Sequence, residues 1–149
     1  MEEKERPVVI ISGGFDPTHV GHVRLIRAAA SLGDVLILLH SDAWLQRKKG
    51  HALMPWEERC EVLLSTKGVM SVWPAADQEN GGVEETLRAV RDAYEDTPLV
   101  FANGGDRLQV PEAEERVCRE EDIILAYNVG GGKVQSSSAL VKAVQCGSG

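Results

Sequence analysis

Short apolar runs alternate with amphipathic stretches along the whole chain. Val8-Val9-Ile10-Ile11 predicts a buried strand over Pro7–Ser12, and Val35-Leu36-Ile37-Leu38-Leu39 predicts a second. Each run is apolar on both faces, as a parallel strand covered on both sides must be. Val69–Trp73, Leu99–Ala102 and Ile123–Tyr127 predict three more strands. Between them the apolar residues recur at helical spacing. Gly21–Leu32 predicts a helix closed by Gly33 in the left-handed position that glycine takes after a helix. Pro55–Ser65 predicts a helix with proline near its start. Val83, Leu87, Val90 and Tyr94 mark one buried helical stripe. Pro111–Glu121 predicts a charged helix, and Ser136–Val144 a last one with serine at its cap. This order predicts an α/β fold: a doubly wound, parallel five-stranded sheet of the Rossmann-like type.

In such sheets ligands gather at the carboxyl ends of the strands, near the point where strand order reverses. Four segments fall there. Gly13–His22 follows the first strand, and Ser41-Asp42 with Arg47-Lys48-Lys49 follows the second. Asn103-Gly104-Gly105-Asp106 follows the fourth, and Gly130–Ser138 the fifth. The first segment, Gly13-Gly14-Phe15-Asp16-Pro17-Thr18-His19-Val20-Gly21-His22, carries the most information. It sets a glycine turn and two imidazoles at one helix start. A helix N-terminus attracts anions through its free N–H groups and its dipole. The two histidines add donors, so the segment suggests a phosphate site and chemistry on a nucleoside triphosphate. It is not the dinucleotide fingerprint G-x-G-x-x-G. Nor is Gly132-Lys133 a P-loop, because Val134 follows it and Tyr127 stands where the first glycine belongs.

Composition narrows the partners. At 149 residues with 43% hydrophobic and 26% charged, the chain predicts a single domain over residues 1–146, with 147–149 as a tail. A formal net charge of −7 disfavours sequence-independent nucleic-acid binding, which needs a basic face. Cys60, Cys118 and Cys146 are odd in number and widely spaced, so neither a disulfide framework nor a zinc site is expected. A reducing, cytoplasmic setting follows. Met1–Arg6 is charged and no run is long enough to span a bilayer, so no leader or membrane association is expected.

The His19-Val20-Gly21-His22 box behind Gly14-Phe15-Asp16-Pro17 resembles the hallmark of the cytidylyltransferase-like nucleotidyltransferase superfamily, [T/H]-x-G-H after the first strand. The likeness continues through most of the chain. Leu32-Gly33-Asp34, Ser41-Asp42 and Lys48-Lys49-Gly50 look like the adenylyltransferase domain of ADP-heptose synthase and like glycerol-3-phosphate cytidylyltransferase. Arg59 matches an arginine of the following helix, and Ser136-Ser137-Ser138 the Ser-Thr-Thr or Ser-Thr-Ser that caps the last one. The chain departs from the pattern before those serines, where Gly130–Gln135 replaces the usual arginine and glycine; Lys133 stands near that arginine in a different register.

The resemblance implies roles. His19, His22 and Lys49 would be catalytic, donating to phosphate oxygens as charge develops. Gly13, Gly14, Phe15, Asp16, Thr18, Gly21, Gly105, Asp106, Ser136, Ser137 and Ser138 would bind the nucleotide. Asp42, Lys48 and Arg59 would bind the acceptor, Arg59 as a bidentate anion holder. Each has a plainer counterpart: structural histidines or a metal pair at i, i+3, turn aspartates at 16 and 106, a solvated lysine run, a surface salt bridge at Arg59, serines that only cap. No further ligands are spaced to complete a protein metal site. Trp44, Trp56 and Trp73 read as packing or as walls of an acceptor pocket.

The implied reaction is nucleotidyl transfer from ATP or CTP, with ATP favoured, to a phosphorylated sugar or alcohol. Magnesium would accompany the triphosphate, and a homodimer is expected from the relatives. A glycerol-3-phosphate-type enzyme using CTP is one alternative. A nucleotide-binding module without turnover is another, supported only by the departure near Lys133.

Overall fold

The computed structural model describes residues 6–104 and 110–131. Expectations for Gly105, Asp106, Lys133, Ser136, Ser137, Ser138 and the helix over 136–144 lie outside the described residues. Five strands and five helices follow one another: β1 (Val8–Gly13), α1 (Val20–Leu32), β2 (Asp34–Leu39), α2 (Asp42–Lys49), α3 (Trp56–Leu64), β3 (Val69–Pro74), α4 (Glu84–Ala93), β4 (Leu99–Gly104), α5 (Glu112–Glu120) and β5 (Ile123–Val129). The strands form one parallel sheet in the order β3-β2-β1-β4-β5. The chain winds outward from β1 to β3, then crosses back to β4. The reversal therefore lies between β1 and β4.

Alternation along the central strands builds two cores. Val9, Ile11, Val35, Ile37 and Leu39 face α1 and α3, packing with Ile26, Ala29 and Leu63. Val8, Ile10, Leu36 and Leu38 face the other side, packing with Leu87 and Val90 of α4 and with Val117 and Cys118 of α5. Every apolar position of β1 and β2 is thus used, which is why both read as continuous runs. The outer strands are half-covered, and Ile124 of β5 is 61% exposed.

Gly33 corrects an expectation. It ends α1, and its N–H donates to the Ala29 carbonyl at 3.2 Å. Its φ is 174°, however, so it is extended rather than left-handed. Glycine is required for room: a Cβ here would collide with the Pro7 carbonyl oxygen, which accepts from Asp34 N–H at 2.9 Å where β1 and β2 begin. Gly33→Ala is expected to destabilise the protein by about 1–3 kcal/mol, since backbone rather than a flexible side chain must give way. Urea unfolding would read this as a lower midpoint at unchanged slope.

One helix, α2, is absent from the periodicity. Ser41 caps it, its Oγ accepting from Trp44 N–H at 3.0 Å. Gly50 ends it at φ +78°, in the left-handed region. Only Leu45 is buried, so no apolar stripe announces it. Arg47, Lys48 and Lys49 consequently form the last turn of a helix, where cations complement the dipole, rather than an open loop.

Candidate active site

The segment after β1 is fixed from below. Asp16 is fully buried, and its carboxylate accepts from Leu53 N–H at 2.6 Å and from Met54 N–H at 2.8 Å. This ties the loop to the segment between α2 and α3. Phe15 is buried at φ +49°, a conformation costly for a bulky side chain, and its ring lies 4.5 Å from that of His22. A Cβ on Gly14 would lie 2.7 Å from Leu45 Cδ2, so the glycine lets α2 pack against the loop. Asp16 and Phe15 thus shape the turn, and Gly14 brings α2 close to it.

His19 and His22 cap α1 reciprocally. His19 Nδ1 accepts from Gly21 N–H at 3.0 Å, and the same side chain caps the backbone of His22. In return His22 Nδ1 accepts from His19 N–H at 3.1 Å. The arrangement is a capping box built from imidazoles instead of a hydroxyl and a carboxamide. The rings stack with centroids 3.8 Å apart. A nitrogen that accepts cannot carry the proton, so each neutral ring holds its N–H at Nε2. The helix start therefore spends backbone donors on the histidines, and the rings offer one N–H each in exchange. That revises the simpler picture of bare helix N–H groups meeting an anion. Thr18, next to the pair, keeps its Oγ1 buried without a partner among the described residues.

Burial pushes the His22 pKa down to about 3, and electrostatic repulsion from the Lys49 ammonium, and from His19 whenever that ring is protonated, acts in the same direction. Lys49 is thus brought to the histidine pair from α2. His40, which the sequence did not single out, follows β2 and is held down at about 4. Burial is again the main cause; Asp77 opposes it, and Arg59 and Lys48 reinforce it. Both imidazoles are neutral in the folded chain, while in the unfolded chain they gain protons near pH 6.5. Stability is therefore greatest above pH 6.5. It falls as pH drops from 6.5 toward about 4 for His40 and about 3 for His22, by at most about 1.4 kcal/mol per pH unit for each ring. Urea unfolding at pH 7 and pH 5 checks this; a His22→Gln, His40→Gln double variant should lose most of the difference.

Arg59 is not at the surface of the site. Its side chain is wholly buried behind three loops. Nη1 donates to Gly14 O at 2.9 Å and to His40 O at 2.8 Å, Nε to Met54 O at 2.9 Å, and Nη2 to Asp42 Oδ1 at 2.5 Å. The guanidinium is thus spent on bracing the ends of β1 and β2, and neither an acceptor anion nor a surface i, i+4 pair describes its place. Asp42 is 48% exposed beside it, held at the mouth by that pairing.

The β2 and β3 ends make a second cluster. The His40 and Trp44 rings stack at 3.9 Å and 6°. Trp44 Nε1 donates to Gly81 O at 2.9 Å. Arg47 binds Asp77 through both oxygens, one at 3.0 Å. Trp56 instead is packing, its Nε1 donating to Leu39 O at 3.0 Å, and Trp73 packs against the α4 and α5 core. Among the described residues no three His, Cys, Asp or Glu side chains converge as a metal cage would. No helix among them is long and apolar enough to cross a membrane.

Strand order, glycine turn and histidine-capped helix together define an α/β domain of the Rossmann-like nucleotidyltransferase fold. The chain belongs to the cytidylyltransferase-like family, whose model matches residues 10–130. It is 44% identical over 133 residues to the bifunctional protein HldE of Syntrophotalea carbinolica, covering 87% of this chain and 24% of that one. It is 36% identical over 76 residues to the FAD synthase of Thermococcus kodakarensis, covering 49% of this chain and 51% of that one. The chain thus spans about a quarter of one relative and half of the other. The lipopolysaccharide core biosynthesis protein of Thermoplasma volcanium shares the fold, with a TM-score of 0.62 at 19% identity, over 82% of this chain and 93% of that one.

Proposed function

We propose that this protein transfers a nucleoside monophosphate from the magnesium salt of ATP to a phosphorylated small molecule, releasing pyrophosphate. The observation that carries the reading is the imidazole capping box, which leaves both histidines at the helix start with their N–H at Nε2, within reach of the charge of Lys49. An acceptor phosphate oxygen attacks the α-phosphorus in line. The new P–O bond forms as the bond from the α-phosphorus to the bridging oxygen breaks, and the electron pair leaves with pyrophosphate. The acceptor is already an anion, so no general base is required. The work left to the protein is positioning and charge stabilisation. Neutral His19 and His22 donate to the phosphate oxygens from fixed positions, and Lys49 neutralises charge. Magnesium enters with the triphosphate as substrate. ATP is favoured over CTP by the relatives: FAD joins an adenylate to a flavin phosphate, and the match to HldE runs over most of this chain.

The test is pyrophosphate release with MgATP or MgCTP against sugar 1-phosphates, glycerol 3-phosphate and flavin mononucleotide. Acceptor-dependent release with ATP supports the reading. Release with CTP alone would make it a cytidylyltransferase. Tight triphosphate binding without release across the panel would favour a binding module.

A further inference from the structure

Phe15 stands in the left-handed region at φ +49°, a costly place for a bulky side chain. A residue so strained persists only where its surroundings over-determine it, and such positions gather at functional sites. Its surroundings do fix it. Asp16, next in the chain, is anchored to the N–H groups of Leu53 and Met54. Gly13 carries no side chain where the phenyl lies: a Cβ there would have its three nearest atoms in the Phe15 ring, at 3.1, 3.4 and 3.7 Å. The ring is 3% exposed, in the core that faces α1 and α3, so it is not offered to a nucleotide. It is offered to His22. The two centroids lie 4.5 Å apart with the planes tilted by 45°. His22 in turn stacks on His19 at 3.8 Å and 25°. Phe15, His22 and His19 thus form a row of rings, with His22 common to both contacts, leading from the core to the half-buried helix start.

The capping box leaves one thing undone. The bond from His19 N–H places His22 Nδ1 at 3.1 Å, but a single hydrogen bond does not fix the plane of a ring. The Nε2–H lies in that plane, so whatever sets the plane aims the donor. We propose that Phe15 is a positioning residue: its buried phenyl sets the plane of the His22 ring, and through the stack that of His19, so that both Nε2–H donors keep one direction. This rests on the transfer reading above for what the donors serve, while the ring geometry does not depend on it. Donors held in place need no reorganisation as charge develops on the phosphate, whereas an imidazole free to tilt does. The strained backbone at Phe15 is the means by which one loop residue reaches both the core and the imidazole.

Two measurements decide it. Phe15→Leu keeps an apolar side chain of comparable size and removes the flat ring. At pH 7 a two-bond proton–nitrogen correlation spectrum of wild type should show His22 with its proton held at Nε2. In Phe15→Leu both ring nitrogens should move toward the averaged values of a mobile imidazole that exchanges between its tautomers. Gly13→Ala is the second variant, should Phe15→Leu fail to fold: its methyl meets the phenyl first and should shift the same two signals with the phenyl still present. With an acceptor that supports pyrophosphate release, Phe15→Leu should lower kcat about 10- to 100-fold, as misplacing a reacting group does, with the KM for ATP within about threefold of wild type. Added to His22→Gln, it should cost less than about threefold more, because a residue that acts through His22 then has nothing left to position. His22 nitrogens unmoved in the folded variants, or a loss of kcat as large in the His22→Gln background as in wild type, would overturn the assignment. Absence of pyrophosphate release from wild type with every acceptor counts against the transfer reading instead, and the nitrogen spectra then still decide the positioning role.

Discussion

His22→Ala is expected to lower kcat for pyrophosphate release by about 100- to 1,000-fold, the usual cost of removing one fixed donor from a developing charge. Two losses combine in this variant. The Nε2–H donor disappears, and His19 N–H loses its acceptor, because His22 Nδ1 holds it at 3.1 Å. The second loss costs stability of about 1 kcal/mol, as for other helix caps, and it frees the first turn that orients His19. A His22→Gln variant separates them. Its side-chain oxygen can accept from His19 N–H as glutamine does in an ordinary capping box, and its amide can still donate. It should recover the lost stability and part of the rate. His19→Ala should behave like His22→Ala, and the double variant should be little worse than either, since the rings stack at 3.8 Å and act as a unit. Initial velocities with urea midpoints measured on the same preparations check all four variants.

Arg59→Met is expected to cost stability of about 3–5 kcal/mol, a large share of the 5–15 kcal/mol that holds a typical domain together. The packing of the chain stem is preserved, so the loss is of hydrogen bonds. Two buried carbonyls, at Gly14 and His40, and a part-buried one at Met54 lose their donor at once. Each orphaned buried group costs about 1–3 kcal/mol before relaxation. Asp42 contributes less because it is half in water and can rehydrate. Asp42→Asn should therefore cost no more than about 1 kcal/mol. Arg59→Lys should fall between the two, since an ammonium cannot reach a fork of four acceptors. An Arg59→Met midpoint close to wild type would refute this bracing role. The same loops carry Gly14 and His40, so any folded Arg59 variant should also lose activity.

The sheet was legible in the sequence because the centres of β1 and β2, Val8–Ile11 and Val35–Leu39, are buried on both faces and carry apolar residues at every position. Helix α4 was legible for the complementary reason, an apolar stripe on a polar rod, while α1 was marked by its helical pattern and closing glycine, α3 by the proline near its start and α5 by its charged run. Helix α2 was not legible. It buries only Leu45, and its charge run looks the same whether coiled or helical. Serine before it and glycine after it were the available signals. Gly33 stands at the helix end that its pattern predicts, but its constraint is the Pro7 carbonyl, a contact between segments that no local pattern records. The histidine box marked the candidate site, but not that its imidazoles accept from the backbone. Histidine is not among the usual capping residues, and the reciprocal geometry appears only when the turn is built. Arg59 shows the same limit more sharply. Within Glu57-Glu58-Arg59 it has the look of a surface residue, and only the tertiary meeting of three loops makes it a buried brace. His40 carries no signal in the sequence, because a single histidine after a strand has no spacing to mark it. Its meaning depends on Trp44 stacking on it from the next helix.

In the proposed reaction the histidine pair directs attack to the α-phosphorus. This is tested most directly by following ATP labelled at the α-phosphate, with an acceptor that supports turnover. The label is expected to move to the acceptor, pyrophosphate to leave unlabelled in equal amount, and both to fall together in His22→Ala. Release of inorganic phosphate with the label retained in ADP would contradict the proposal, because the bond broken would then be at the γ-phosphorus.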